Sequence, residues 1–134
     1  MPQKKVTNMK TAKDYLEAAN ADVPKMSTED AIAVQAKGEG VFVDVRDTAA
    51  ITASGTIAGA QRVPRGMIEF RADPAVEALF DPIFADKSAA FYLVCGAGGQ
   101  AALTGKTMKD MGFSNVTNIG GFPAWKDAGG PTEG

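Results

Sequence analysis

The sequence predicts an α/β fold with a mainly parallel sheet, and three observations carry that prediction. Short apolar runs at Val41 to Val45, Ala90 to Val94 and Val116 to Ile119 alternate with segments of helical period. The first two runs are apolar at nearly every position, as expected of strands buried on both faces. Glycines and Asp-Pro steps separate the segments, so the elements are short and joined by turns. With 134 residues, 45% of them hydrophobic and 22% charged, the chain is long enough for one domain with its own core.

The elements follow in order. Met1 to Lys10 is polar and basic. Thr11, with Asp14 three residues on, has the form of a capping box before a short helix reaching about Asn20, and Val23-Pro24 interrupts it. Ser27 and Asp30 repeat the signal before a helix over Thr28 to Ala36, with Ala31, Ile32 and Val34 on its inner face. Gly38 and Gly40 stop that helix, and the strand Val41 to Val45 follows. Thr52 to Ala60, rich in small residues, reads as a loop. Asp73-Pro74 resembles an N-cap with proline at the first helical position, which predicts a helix burying Val76 and Leu79. Asp81-Pro82 ends it or starts a turn. The strand Ala90 to Val94 then runs into Cys95. A helix over Ala101 to Met111 presents Leu103, Thr107, Met108 and Met111 on one face, and Gly112 sits where a C-terminal glycine belongs. After the strand Val116 to Ile119, Gly120-Gly121 turns the chain into a last helix over Pro123 to Ala128.

Composition removes several function classes. Fourteen basic and sixteen acidic side chains give a net charge of −2, so no electrostatic term favours nucleic acid or an anionic membrane surface. No apolar run reaches the length of a membrane span, and the N-terminus lacks a signal-peptide core. The chain has no histidine, which excludes Cys-His and Ser-His hydrolase chemistry and histidine-based metal sites within it. One cysteine cannot form an internal disulfide or a cysteine-rich metal site. Neither a metal nor an organic cofactor is indicated, and a reducing, cytoplasmic setting is the expectation.

That one cysteine, Cys95, is the most informative residue. It ends an apolar strand and opens a glycine-rich loop, Gly96-Ala97-Gly98-Gly99-Gln100, ahead of a helix. Ligands of open α/β sheets bind outside the carboxyl ends of strands, where Cys95 falls. Loop N–H groups converging on an anion, and the dipole of the following helix, favour thiolate over thiol. A buried core cysteine is the alternative; the glycine loop directly behind it favours a nucleophile.

From about Lys25 to Pro131 the chain resembles a single-domain rhodanese. Val43-Asp44-Val45-Arg46 is similar to that family's D-V-R signature, and Gly55 to Ala60 with Val63-Pro64 is similar to its G-H-I-P-G-A…P segment, Thr56 and Ala58 being departures. Cys95 to Ala102 takes the place of the active-site loop, followed by Gly112-Phe113-Ser114-Asn115-Val116 for G-F-x-N-V. Gly120 to Trp125 and Ala128 to Pro131 match the closing G-G…A-W…A-G-x-P. Arg65-Gly66-Met67 through Asp73-Pro74 is similar to a stretch recurring in one branch of the family. These segments stand in the family's order and spacing.

The resemblance implies a parallel sheet of about five strands with helices on both faces. It divides the chain into an N-terminal extension with a short helix, residues 1–24, and a rhodanese-like domain, residues 25–134. It implies sulfur transfer through a persulfide on Cys95, with Gly96, Ala97, Gly98, Gly99 and Gln100 holding the anion by backbone N–H groups. The partners implied are a sulfur donor, thiosulfate or a persulfide, and a thiol or protein acceptor.

The loop departs from the family's C-R-x-G-x-R and C-x-x-G-x-R patterns, because Gln100 stands at the closing arginine and Gly96 at an often-charged position. Gln donates hydrogen bonds without charge, so thiosulfate is expected to be a poor donor. Arg65 is the candidate for a second anion contact. Asp44 and Arg46, two apart on a strand, point to one face and are expected to hold neighbouring loops near the site. Glu69 and Asp73 read as a surface charge and a cap rather than an acid–base pair. Three functions compete: a sulfurtransferase or persulfide carrier, a catalytically inactive rhodanese-like binding or sulfur-sensing module, and a phosphatase-like or arsenate-reducing enzyme. The last requires a longer loop closed by arginine.

Overall fold

The computed structural model describes residues 9–134, so most of the polar, basic segment at Met1 to Lys10 lies outside the described residues. In chain order the elements are α1 (Ala12–Asp22), α2 (Thr28–Ala36), β1 (Val41–Asp44), α3 (Thr48–Ser54), β2 (Thr56–Ile57), β3 (Gln61–Arg62), α4 (Ile68–Arg71), β4 (Phe91–Cys95), α5 (Gly99–Asp110), β5 (Val116–Gly121), α6 (Phe122–Asp127) and β6 (Thr132–Glu133). The capping box predicted for α1 is present, with Asp14 N–H donating to Thr11 Oγ1 at 3.2 Å and Thr11 N–H to Asp14 Oδ2 at 2.9 Å. Ser27 caps α2 through Asp30 N–H at 3.1 Å.

The main sheet is parallel throughout, in the order β3-β1-β4-β5. It has four strands, not the five that the resemblance implied. On the free edge of β5 the chain makes a single parallel bridge, Lys25 to Asn118, through Met26 N–H to Asn118 O at 3.0 Å and Asn118 N–H to Pro24 O at 2.8 Å. Pro24 has no N–H to extend this ladder, and Ser27 is already capping α2. The two short strands β2 and β6 pair antiparallel, apart from the main sheet.

Alternation along the central strands divides the core in two. Val43, Val45, Phe91, Leu93 and Cys95 pack on one face with Ala101 and Met108 of α5 and Ile68 of α4. Phe42, Val94 and Ile119 pack on the other with Ala31 of α2 and Phe122 and Trp125 of α6. Helices therefore cover both faces.

Two local expectations are corrected. The segment read as a loop from Thr52 to Ala60 contains the end of α3 and all of β2; Asp47 caps α3 by accepting from Ala50 N–H at 2.8 Å. Asp73-Pro74 opens consecutive turns rather than a helix. Asp73 accepts from Ala75 N–H at 2.9 Å through its side chain and from Val76 N–H at 3.0 Å through its carbonyl, and Leu79 N–H bonds the Val76 carbonyl at 3.0 Å, so the segment is tied as successive turns. Leu79 consequently lies exposed, and Phe80 packs against the core in its place.

Candidate active site

Cys95 is the last residue of β4 and points to the α5 face, where it is buried. Its sulfur accepts two backbone N–H groups, from Gly98 at 2.9 Å and from Ala101 at 3.4 Å. Two backbone N–H groups are thus aimed at the one sulfur. The N–H groups of Gly96, Ala97, Gly99 and Gln100 have no acceptor among the described residues. These donors lie at the start of a twelve-residue helix, whose dipole favours negative charge there.

Glycine geometry makes this loop possible. Gly98 precedes α5 with φ +95°, a left-handed conformation that L side chains rarely adopt. β5 pairs Gly121 with Cys95, past a register irregularity between Leu93 and Cys95. A Cβ at position 121 would collide with the Gly96 carbonyl, so the loop can lie directly on the strand end only because residue 121 is glycine.

The remaining predicted residues fall in distinct places. The Gln100 side chain is exposed in the first turn of α5. Arg65 donates to Glu69 Oε1 at 3.1 Å and to Thr107 Oγ1 at 3.0 Å. Thr107 lies eight residues into α5 from Gly99, about 12 Å along its axis, so this guanidinium is held away from the sulfur loop. Asp44 and Arg46 form a bidentate pair with contacts of 3.0 and 2.7 Å. Thr56 Oγ1 donates to Asp44 at 2.7 Å, while Arg46 reaches Ser54 Oγ, the Gly55 carbonyl and the Phe122 ring. The pair joins the end of β1 to the α3–β2 turn and α6, on the sheet face opposite the Cys95 side chain.

Two contributors carried no sequence signal. Asn118, buried in β5, bonds the Gly98 carbonyl through its side chain. A cavity of about 320 Å³ lies between α1 and the loop, lined by Leu16, Asn20, Lys25 and Met26 as well as Ala97 to Gly99. An asparagine in a strand and a lysine after a proline look like ordinary surface residues until the fold brings them to the loop. No group of three or more metal-ligating side chains occurs among the described residues, and no described helix is long and apolar enough to cross a membrane.

Fold and site define a family. The profile of the Rhodanese-like domain matches residues 27–128, and the chain belongs to that family, as its motifs suggested. Over 99% of both chains it is similar, at 41% identity and a TM-score of 0.88, to a protein of unknown function, possible tyrosine phosphatase, from Rhodopseudomonas palustris. It is also similar to a polysulfide-sulfur transferase homodimer from Wolinella succinogenes, at 28% identity over 90% of this chain and 85% of that one, with a TM-score of 0.69. A rhodanese-like domain from Anabaena sp. aligns at 30% identity over 83% and 79% of the two chains, with a TM-score of 0.64. No curated protein matches the sequence.

Proposed function

We propose that this chain is a sulfurtransferase or persulfide carrier that moves a sulfane sulfur through a persulfide on Cys95. The observation that carries this reading is the pair of N–H donors on Cys95 Sγ, within a loop whose other N–H groups are unpaired among the described residues. The Cys95 thiolate attacks the outer sulfur of the donor and forms an S–S bond. The donor's own bond to that sulfur breaks, and its electron pair leaves with sulfite when the donor is thiosulfate, or with a thiolate when it is a persulfide. The free N–H groups of Gly96, Ala97, Gly99 and Gln100 would take the negative charge of the terminal sulfur. An acceptor thiolate then attacks that sulfur and releases the Cys95 thiolate. The sulfurtransferase from Wolinella succinogenes among its structural neighbours supports this class of chemistry.

The site favours a donor of low charge. Gln100 is neutral, Arg65 is engaged by Glu69 and Thr107, and Arg46 by Asp44, Ser54 and Gly55, while Lys25 lines the adjoining cavity from an exposed position where solvent screens its charge. A missing charge-assisted bond costs roughly 1.5–3 kcal/mol, about ten- to hundredfold or slightly more in affinity for thiosulfate. An uncharged or protein-borne persulfide donor escapes most of that loss. The same absence of a guanidinium at the loop argues against phosphoryl transfer, in which charge on the phosphoryl oxygens must be neutralised. Residues 1–24 we read as an N-terminal extension, because within its described part α1 and the Val23 that follows it pack along α5 through Asp22 and Val23.

The burial of Cys95 favours a second reading, an inactive binding or sulfur-sensing module. Thiocyanate production from cyanide separates the two. With a low-molecular persulfide as donor, thiocyanate should form faster than by the donor's own reaction with cyanide, with a smaller acceleration for thiosulfate and none above background with Cys95→Ser. No acceleration above the protein-free rate with either donor would leave the binding module.

A further inference from the structure

We propose that Asn118 is a positioning residue for the Cys95 sulfur, acting through Gly98. The catalytic consequence rests on the sulfur-transfer reading above, but the geometry does not. Asn118 is 4% exposed, so its amide needs partners within the protein. Nδ2 donates to the Gly98 carbonyl at 3.0 Å, and Oδ1 accepts from Gly120 N–H at 2.8 Å. Only this orientation of the amide satisfies both neighbours, since a flipped one would face oxygen to oxygen and N–H to N–H.

Gly98 is the residue on which the sulfur environment turns. Its N–H points at Cys95 Sγ, and its carbonyl accepts the first bond of α5 from Ala102 N–H at 3.0 Å. Between those two groups lies a left-handed glycine, whose torsions are the least restricted of any residue. Packing does little to hold it: the cavity of about 320 Å³ borders the Gly98 and Asn118 side of the loop. The Asn118 amide supplies a second anchor on the Gly98 carbonyl and ties it to Gly120 at the end of β5. Backbone bonds of Asn118 to Pro24 and Met26 fix the asparagine itself. Without the amide, Gly98 can rotate its N–H away from the sulfur while the helix bond persists.

The test measures the thiol alone, so it is independent of whether sulfur is transferred. Asn118→Asp keeps the shape and the acceptor for Gly120 but sets an oxygen against the Gly98 carbonyl; Asn118→Ser removes most of the reach. The rate of Cys95 alkylation by iodoacetamide, followed by mass, is recorded against pH. Losing a donor to a charged sulfur should move the midpoint of that profile up by about one pH unit, a tenfold loss of rate near neutral pH, with Asp the more affected. Phe113→Leu is the control for a purely structural role. It loosens the core beside Phe91, at the far end of β4, and should leave the midpoint unmoved. An unmoved midpoint in both Asn118 variants overturns the proposal. If neither variant folds, the unaltered protein decides: a through-hydrogen-bond NMR coupling from Asn118 Nδ2 to the Gly98 carbonyl carbon supports the clamp, and its absence overturns it.

Discussion

Gly121 and Gly96 meet backbone to backbone, so closely that a Cβ on residue 121 would lie well inside 3.0 Å of the Gly96 carbonyl. The end of β5 is therefore the surface on which the cysteine loop rests. Gly121→Ala must push that loop outward. Overpacking of this kind costs about 1–3 kcal/mol, and the displaced N–H donors should lower Cys95 alkylation at neutral pH about tenfold. Urea unfolding and alkylation kinetics on the same sample measure both effects; a full alkylation rate would show that the loop does not depend on this contact.

Restoring charge to the loop should change donor preference. Gln100→Arg is expected to raise thiosulfate turnover about ten- to hundredfold while changing turnover with a neutral persulfide donor far less. Steady-state comparison of the two donors checks this. Equal gains with both would mean that charge is not what the loop lacks.

The Asp44–Arg46 pair predicts a cost in stability. Asp44 is fully buried and Arg46 is 8% exposed, so Asp44→Asn strands a guanidinium with too few acceptors. The expected loss is about 3–5 kcal/mol in chemical denaturation. Arg65→Ala, which breaks exposed and half-buried contacts, should cost about 1 kcal/mol or less. If the two variants proved equally stable, the buried pair would not be holding β1 to the α3–β2 turn.

Docking of α1 should depend on pH at both extremes. Asp22 lies against Lys106 and Lys109, and the Lys106 contacts hold its carboxyl below its ordinary value. A depressed carboxyl contributes stability above about pH 3.9 and loses it as pH falls through the lowered value. Lys106 is raised by Asp22 and Asp110; its contribution is complete below about pH 10.4 and is lost as pH rises through the raised value. Limited proteolysis within α1 should therefore be slow from about pH 5 to 9 and speed up only in strong acid or base. Asp22→Asn should remove the acid-side change. Gly105→Ala, whose Cβ would lie 2.8 Å from Val23 Cγ1, should speed cleavage at every pH.

Much of this arrangement was legible in the sequence. Alternating apolar runs gave the sheet, capping residues at Thr11 and Ser27 gave two helix starts, and Cys95 before a glycine loop marked the likeness to rhodaneses. The spacing of Asp44 and Arg46 predicts a shared face, and they do pair, although Arg46 lies just past the end of β1. What escaped were features set by tertiary contact. The helix Thr48–Ser54 is short and built of Thr, Ala and Ser, so its period is faint and Asp47 is its only local signal. The fifth strand shrank to one bridge because Pro24 and Ser27 flank Lys25. The direction of the Arg65 side chain depends on Thr107, 42 residues away. Nothing in the local sequence distinguishes Asn118 from a solvated strand residue.

The most direct test of the central claim is the intact mass of the protein after incubation with a low-molecular persulfide, before and after cyanide, with Cys95→Ser alongside. Sulfur transfer through Cys95 predicts a gain of one sulfur atom that cyanide removes and that the variant never shows. An unchanged mass, or a gain that persists in Cys95→Ser, would contradict it.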